Sequence, residues 1–243
     1  MEIETAIEVF VRAFTLVRSR THPYLLDRVE GIWRMHDAPR KRNVRSEGFV
    51  AIDIPPERIH EIVSRHATDS YHICVVRRVR ESDRAIRSGF RALGYRLITT
   101  EPLFVNALAS VPEFSSSLPV RRVTTIEEAE ALRAAARRRQ IPAEHLGVEN
   151  APVRQYVAVE DEAPIGWVQS ISTLGATWCA NLFVKPEYRR RGVARALLSK
   201  MLADDRDFGS SASVLLSSRA GALLYPAVGY VRIGELLAYS PGQ

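Results

Sequence analysis

An α/β fold of the α+β kind, a mixed and mostly antiparallel sheet flanked by helices, is predicted for this 243-residue chain by three features. A strand-like run, Ala176-Thr-Trp-Cys-Ala-Asn-Leu-Phe-Val184, passes through a short turn into a helix-like run whose Val193, Leu197, Met201 and Leu202 share one face, with Arg195 and Lys200 off it. Ahead of it, Arg154-Gln-Tyr-Val-Ala-Val159 and Ile165-Gly-Trp-Val-Gln-Ser-Ile171 flank a Glu160-Asp-Glu turn as a hairpin. The order strand, helix, Gly-Tyr, strand also occurs twice, once in each half, which points to an internal duplication.

The elements follow in chain order. Ile3, Ile7, Phe10, Phe14 and Val17 lie on one face of a first helix. Trp33-Arg-Met-His-Asp-Ala-Pro-Arg40 is a strand-like run ending in a polar turn marked by proline, a candidate lining for a substrate cleft, with Trp33 as plain core the equal alternative. Tyr71-His-Ile-Cys-Val-Val76 reads as a buried strand, Ser82 to Leu93 as a helix stopped by Gly94-Tyr95, and Leu97 to Leu108 as a strand-rich tail. Ser110-Val-Pro-Glu-Phe-Ser-Ser-Ser-Leu-Pro119 is small, polar and proline-bearing, and reads as a linker. The expected division is therefore a domain over 1–109, a linker over 110–119 and a second domain over 120–243.

In the second half Val120-Arg-Arg-Val123 is a short strand. Thr125 caps a helix with Glu128 three residues on, a capping box, and Ile126, Ala129, Leu132 and Ala136 face one way along it. After the hairpin and the Ala176–Val184 strand, Ser211 to Ser218 reads as a buried strand and Ala220 to Val228 as a short helix ended by Gly229-Tyr230. Leu236-Leu-Ala-Tyr239 is expected to close this half's sheet.

The turn after Val184 carries the chemistry. Lys185-Pro-Glu-Tyr-Arg-Arg-Arg-Gly-Val-Ala194 holds three consecutive arginines, then a glycine that lets backbone approach a ligand, then small or branched residues. The free N–H groups of the helix's first turn and the positive end of its dipole make an anion site, which the arginines strengthen. That suits a pyrophosphate. The competing reading is a solvated arginine run opening an ordinary helix.

Arg189-Arg-Arg-Gly-Val-Ala194, with Val184-x-Pro186 before it, resembles the Arg/Gln-x-x-Gly-x-Gly/Ala signature of the GNAT acyltransferase superfamily. The resemblance covers Val120 to the end. It implies the GNAT fold and acetyl-CoA as co-substrate. It further implies that Leu182, Phe183 and Val184 hold the pantetheine arm and that Arg189, Arg190, Arg191, Gly192, Val193 and Ala194 hold the phosphates. A second block resembles the family's Asn-x-x-Ala-x-x-x-Tyr-x-x-x-Gly-Phe/Tyr pattern, with Ser218 at the Asn position, Gly221 at the Ala position and Tyr225 at the tyrosine position. The resemblance implies that Ser218 contacts the cofactor and that Tyr225 protonates the departing thiolate; the alternative for Tyr225 is a ring packed on the core. Tyr230 reads as packing. No such loop occurs before Ser110, so the first half is read as a degenerate GNAT-like domain without a CoA loop, in a tandem arrangement.

The implied reaction is acetyl transfer from acetyl-CoA to an amine, small molecule or peptide, with a backbone N–H near Val184 at the developing oxyanion. No base is assigned: Trp178, Cys179, Ala180 and Asn181 occupy the strand where relatives carry a glutamate, and Glu160, Asp161, Glu162 and Glu187 read as solvated charge. The rival reading is a non-catalytic CoA-binding sensor or regulatory protein, with a nucleic-acid module third.

Composition bounds these readings. An apolar fraction of 46% with 26% charged residues fits a globular domain, and no apolar run approaches the roughly 20 residues of a membrane span. Met-Glu-Ile-Glu lacks a cationic leader, so a cytoplasmic protein with reduced Cys74 and Cys179 is expected. The six histidines form no ligand spacing, so no metal is expected. The net charge of +6 is almost all arginine, with only Lys41, Lys185 and Lys200, a bias that fits a GC-rich bacterial genome. No nucleic-acid motif accompanies the basic clusters at 39–42, 77–80, 137–139 and 189–191. A homodimer remains open.

Overall fold

Helical periodicity from Ile3 to Val17 is realised as α1 (Ile3–Arg18), which buries Ile3, Ile7, Phe10 and their neighbours and leaves Phe14 half-buried. The structure, a computed structural model, describes residues 1–114 and 118–242. Three residues of the expected linker, Ser115 to Ser117, lie outside the described residues. The chain divides into two compact units that do not follow chain order. An N-terminal unit comprises Glu2–Phe104, Leu216–Ala222 and the chain from Arg232; a C-terminal unit comprises Val105–Leu215 and Leu223–Val231.

In the N-terminal unit α1 is followed by β1 (Tyr24–Val29), β2 (Ile32–Asp37), β3 (Glu47–Ile52), α2 (Pro56–His66), β4 (Tyr71–Arg78), α3 (Arg84–Ala92) and β5 (Tyr95–Asn106). The sequence reading had no place for β1, β3 or α2. The signal for α2 was available: proline at its first position and Ile59, Ile62 and Val63 on one buried face. The strand order is β1-β2-β3-β4-β11-β5, where β11 is Val231–Pro241. Strand β3 runs parallel to β4 and pairs with it from Glu47↔Tyr71 through Ile52↔Val76.

The expectation that Leu236–Tyr239 closes the second half's sheet is corrected. Strand β11 pairs antiparallel with β4, Leu236↔Val76 through Tyr239↔Ile73, and Leu237 and Tyr239 join the core made by Phe49, Ile59, Ile73 and Phe90. Alternation along a strand fixes its faces but not its neighbour, so the sequence pattern permitted either partner.

The C-terminal unit holds β6 (Val120–Arg122), α4 (Ile126–Ala136), β7 (Val153–Glu160), β8 (Ala163–Thr173), β9 (Ala176–Val184), α5 (Val193–Asp207) and β10 (Ser213–Leu216), with strand order β10-β9-β8-β7-β6. Its pairs are antiparallel except β9–β10. The Thr125–Glu128 capping box forms, and Leu132 packs with Val157, Val159 and Trp167. Helix α5 buries Val193, Leu197, Met201 and Leu202, the face read from the sequence. The described part of the linker lies along it: Ser199 Oγ donates to the Pro112 carbonyl at 2.7 Å, and the Arg195 guanidinium sits over the Phe114 ring.

The short helix expected over Ala220–Val228 is two 3-10 turns, Gly221–Leu223 and Tyr225–Val228. Gly221 disfavours a helical turn and Pro226 has no N–H to continue one. Gly229 ends the second turn at φ +86°, a conformation that favours glycine. Among the described residues, no helix is long and apolar enough to cross a membrane.

Candidate active site

The site begins where β9 stops pairing with β10. Their parallel ladder consists of Ser213↔Thr177 and Val214↔Trp178, and the rest of β9, Cys179 to Val184, runs on with β8 alone. Its register with β8 also shifts, from Trp167↔Phe183 to Gln169↔Ala180, so β9 carries one extra residue at Asn181–Leu182. Asn181 takes the left-handed conformation at φ +54° that such a bulge uses. The bulge bends the strand and opens a gap beside it.

Inside that gap the backbone of β9 is available. Lys185 N–H donates to the Ile165 carbonyl at 2.8 Å on the β8 side. Because successive N–H groups of a strand point to opposite edges, those of Leu182 and Val184 face the edge that β10 has left. The Val184 carbonyl accepts from Arg189 Nε at 3.1 Å, which ties the turn to the strand end.

The turn runs through a 3-10 segment, Pro186–Tyr188, to Arg190 at φ +63° and Gly192 at φ +81°. Gly192 is the N-cap of α5, and no side chain caps the helix. The first intrahelical bond runs from Ala196 N to Gly192 O, so the N–H groups of Val193, Ala194 and Arg195 have no helical acceptor. They border a cleft of about 190 Å³ lined by Val184, Tyr188, Arg189, Arg190, Gly192–Arg195 and Leu224. The structure thus brings together Val184, Arg189, Arg190, Gly192, Val193 and Ala194 of the expected cofactor residues. Arg191 is turned instead over the Tyr188 ring, 5.4 Å from its centre. The Tyr188 hydroxyl donates to Glu160, and that bond raises the tyrosine's pKa, so Glu160 is a fixed partner rather than solvated turn charge.

Leu182 and Phe183 border a second cavity, about 480 Å³, on the α4 side of the sheet, together with Ala135, Ala136, Arg137, Arg138, Gln140, Trp167, Asn181 and Lys185. The Phe183 and Trp167 rings stack at 4.6 Å. A hydrogen-bonded chain borders it: Arg138 donates to Asn181 Oδ1 at 3.0 Å, Asn181 Nδ2 to Gln169 Oε1 at 3.0 Å, and Gln169 Nε2 to the Gln140 carbonyl. Sequence reasoning missed this chain, because its members sit on three elements and none belongs to a motif.

Tyr225 opens the second 3-10 turn and is 8% exposed; Leu224 before it lines the loop cleft. The Tyr225 ring meets Tyr230 edge-on at 5.7 Å. Tyr230 is packing, as read: its hydroxyl bonds Ser213 Oγ at 2.8 Å, and burial pushes its pKa well up. Ser218 belongs to the N-terminal unit, where its Oγ accepts from Gly221 N–H at 3.2 Å. Both cysteines are free and buried, and burial raises both thiols, Cys74 to about 12. Among the described residues no group of His, Cys, Asp and Glu is placed to hold a metal ion.

Residues 152–232 match the family model described as acetyltransferase (GNAT) domain. Among solved structures, a GCN5-related N-acetyltransferase from Kribbella flavida is similar at a TM-score of 0.68 and 17% identity, over 98% of this chain and 96% of that one. A GCN5-related N-acetyltransferase from Sphaerobacter thermophilus is similar at 0.59 and 18%, over 86% and 78%. A tandem GNAT protein from the clavulanic acid biosynthesis pathway is similar at 0.53 and 14%, over 100% and 97%. At such identities the likeness is one of fold. No curated protein matches the chain.

Proposed function

We propose, because residues 152–232 match an acetyltransferase (GNAT) domain, that this protein is a GNAT acetyltransferase that moves an acetyl group from acetyl-CoA to an amine. The observation that carries the proposal is the coincidence of two features at one end of β9. The strand parts from β10 after Trp178, and the uncapped N-terminus of α5 opens just beyond it. The pyrophosphate takes the N–H groups of Val193 to Arg195, with Arg189 and Arg190 adding charge. The pantetheine arm takes the unpaired backbone of Leu182 to Val184, as an added strand would.

The amine nitrogen attacks the thioester carbonyl carbon, the C–S bond breaks, and CoA leaves as its thiol. A β9 N–H beside the bulge stabilises the oxyanion. On the family resemblance Tyr225 gives its proton to the departing thiolate; Leu224, the residue before it, lines the cleft. The amine's own proton leaves to water or to a base for which we name no residue.

The same reasoning gives one CoA per chain. In the N-terminal unit the corresponding parallel pair, β3 and β4, is zipped along all of Glu47–Ile52 with no bulge. The turn after it, Asp53-Ile54-Pro55, carries no cation. We read residues 1–109 as a decayed copy on that basis. Thiol release from acetyl-CoA over a panel of amines tests the proposal: amine-dependent release with the acetylated amine detected by mass supports it. Acetyl-CoA binding without release for any amine replaces the enzyme by a CoA sensor.

A further inference from the structure

The arginine run Arg137-Arg-Arg139 is not used by the cofactor reading, and the structure brings two of its members to the 480 Å³ cavity beside the bulge. Lys185, the residue just after β9, is the third cation lining it. Some arginines elsewhere meet carboxylates, among them Arg34 with Glu47, Arg45 with Asp37, Arg121 with Glu128 and Arg154 with Asp205. Among the described residues none of Arg137, Arg138 and Lys185 forms an ion pair, and no acidic side chain lines the cavity. The backbone also departs from the ordinary at both walls. Arg137 ends α4 in the left-handed conformation, φ +56°, and Asn181 across from it does the same at +54°, with Arg138 bonded between the two walls at 3.0 Å.

The cavity shares its wall with the cofactor strand. Val184 lines the loop cleft, while Leu182, Phe183 and Lys185 line this cavity, so a molecule seated here lies along the same few residues that hold the arm. Its volume falls within the roughly 300–1,000 Å³ of small-molecule pockets. Resting on the acetyltransferase reading above, we infer that the acceptor is a small amine bearing an anionic group, carboxylate or phosphate. Arg137, Arg138 and Lys185 receive the anion, the Trp167–Phe183 stack packs the carbon skeleton, and the amine is left at the bulge. The nitrogen loses one proton and gains the acetyl group, and CoA departs as thiol, so the anionic group itself is unchanged.

The test sets amines that carry an anionic group against counterparts that lack one: glycine against glycinamide, β-alanine against β-alaninamide, and O-phosphoethanolamine against ethanolamine. Thiol release should favour the anion-bearing member by about tenfold or more in kcat/KM, the scale of one charge-assisted hydrogen bond. Arg137→Glu and Lys185→Glu should abolish that preference by raising the KM for the anionic amine, with the calorimetric affinity for acetyl-CoA unchanged as the check of folding. Equal use of both members, or a preference untouched by either variant, overturns the inference and leaves the acetyltransferase reading standing. A loss of acetyl-CoA affinity with acceptor KM unaltered overturns it too, because the cations then serve the CoA phosphates. If no amine releases thiol, the acetyltransferase reading fails, and calorimetry with the same amines judges the cavity: charge-dependent binding lost in Arg137→Glu retains the anion site, and no binding removes it.

Discussion

Arg154 on β7 donates through Nη2 to the Asp205 carboxylate of α5 at 2.7 Å, and both side chains are shut away from solvent. Asp205 also accepts from Ser170 of β8 at 2.6 Å and Thr177 of β9 at 2.8 Å, so one carboxylate joins three strands to the helix. Thr177 lies in the part of β9 that still pairs with β10, so the network braces the end of the strand away from the opening. Removing one partner leaves the other charge buried and unpaired. Asp205→Ala should therefore lower the unfolding free energy by about 3–5 kcal/mol. The apolar pair Arg154→Met with Asp205→Leu should cost clearly less. Urea denaturation of the three proteins checks the order; equal losses for the single and double variants would contradict it.

The bulge makes a prediction about rate. A β-branched residue is a poor occupant of Asn181's left-handed conformation, whereas glycine is a good one. Asn181→Val should draw β9 toward regular pairing and misplace the thioester, lowering kcat by roughly tenfold or more. Asn181→Gly keeps the backbone and loses only the bonds to Gln169 and Arg138, so its kcat should stay closer to the parent. Steady-state rates with one acceptor decide it, and an inactive Asn181→Gly beside an active Asn181→Val would refute the role given to the bulge.

For Tyr225 the expected outcome is a fall in kcat of roughly 100-fold in Tyr225→Phe, with the KM for acetyl-CoA little changed. Phenylalanine preserves the edge-on contact of the ring with Tyr230, and a melting curve of the variant separates loss of the proton donor from loss of fold. Full activity would demote the hydroxyl to a packing accessory.

Acid stability should depend on Glu47. Burial pushes its carboxyl up, but Arg34 donates to both oxygens at 3.1 Å and Thr68 Oγ1 donates at 2.6 Å, and together they hold its pKa below the ordinary 4.5. A lowered pKa contributes stability that is present above the unfolded value and is lost as pH falls through the folded one. Glu47→Gln should thus lower Tm at pH 7 and have a much smaller effect near pH 3. Melting curves at both pH values test this, and an equal loss at each would rule out the ionic contribution.

The part of the site carried by contiguous residues was legible before the structure. The Arg189–Ala194 turn, the capping box at Thr125 and the hydrophobic face of α5 depend on local spacing, and each is found where the pattern placed it. What depends on distant segments was not. Asp205 stands in Asp204-Asp205-Arg206-Asp207, which reads as a solvated charge run, and only the fold sets Arg154 against it. Asn181 gave no sign of its bulge, since one extra residue in a strand changes no composition. The partner of β11 was invisible because alternation fixes a strand's faces and not its neighbour, and the turn at Tyr225 was overread as a helix despite Pro226.

The central claim is that the uncapped N-terminus of α5 binds the cofactor's pyrophosphate, and calorimetric titration of acetyl-CoA into the wild type and Gly192→Asp tests it most directly. A Cβ on Gly192 would meet nothing within 4 Å, so the added carboxylate has room in the cleft; the left-handed φ of +81° strains any side chain there, and Gly192→Ala, which carries the same strain without the charge, is the control. We expect one acetyl-CoA per wild-type chain at micromolar strength, about −8 kcal/mol, and no measurable binding to a Gly192→Asp protein whose circular dichroism is that of the parent. Undiminished affinity in that folded variant would contradict the account.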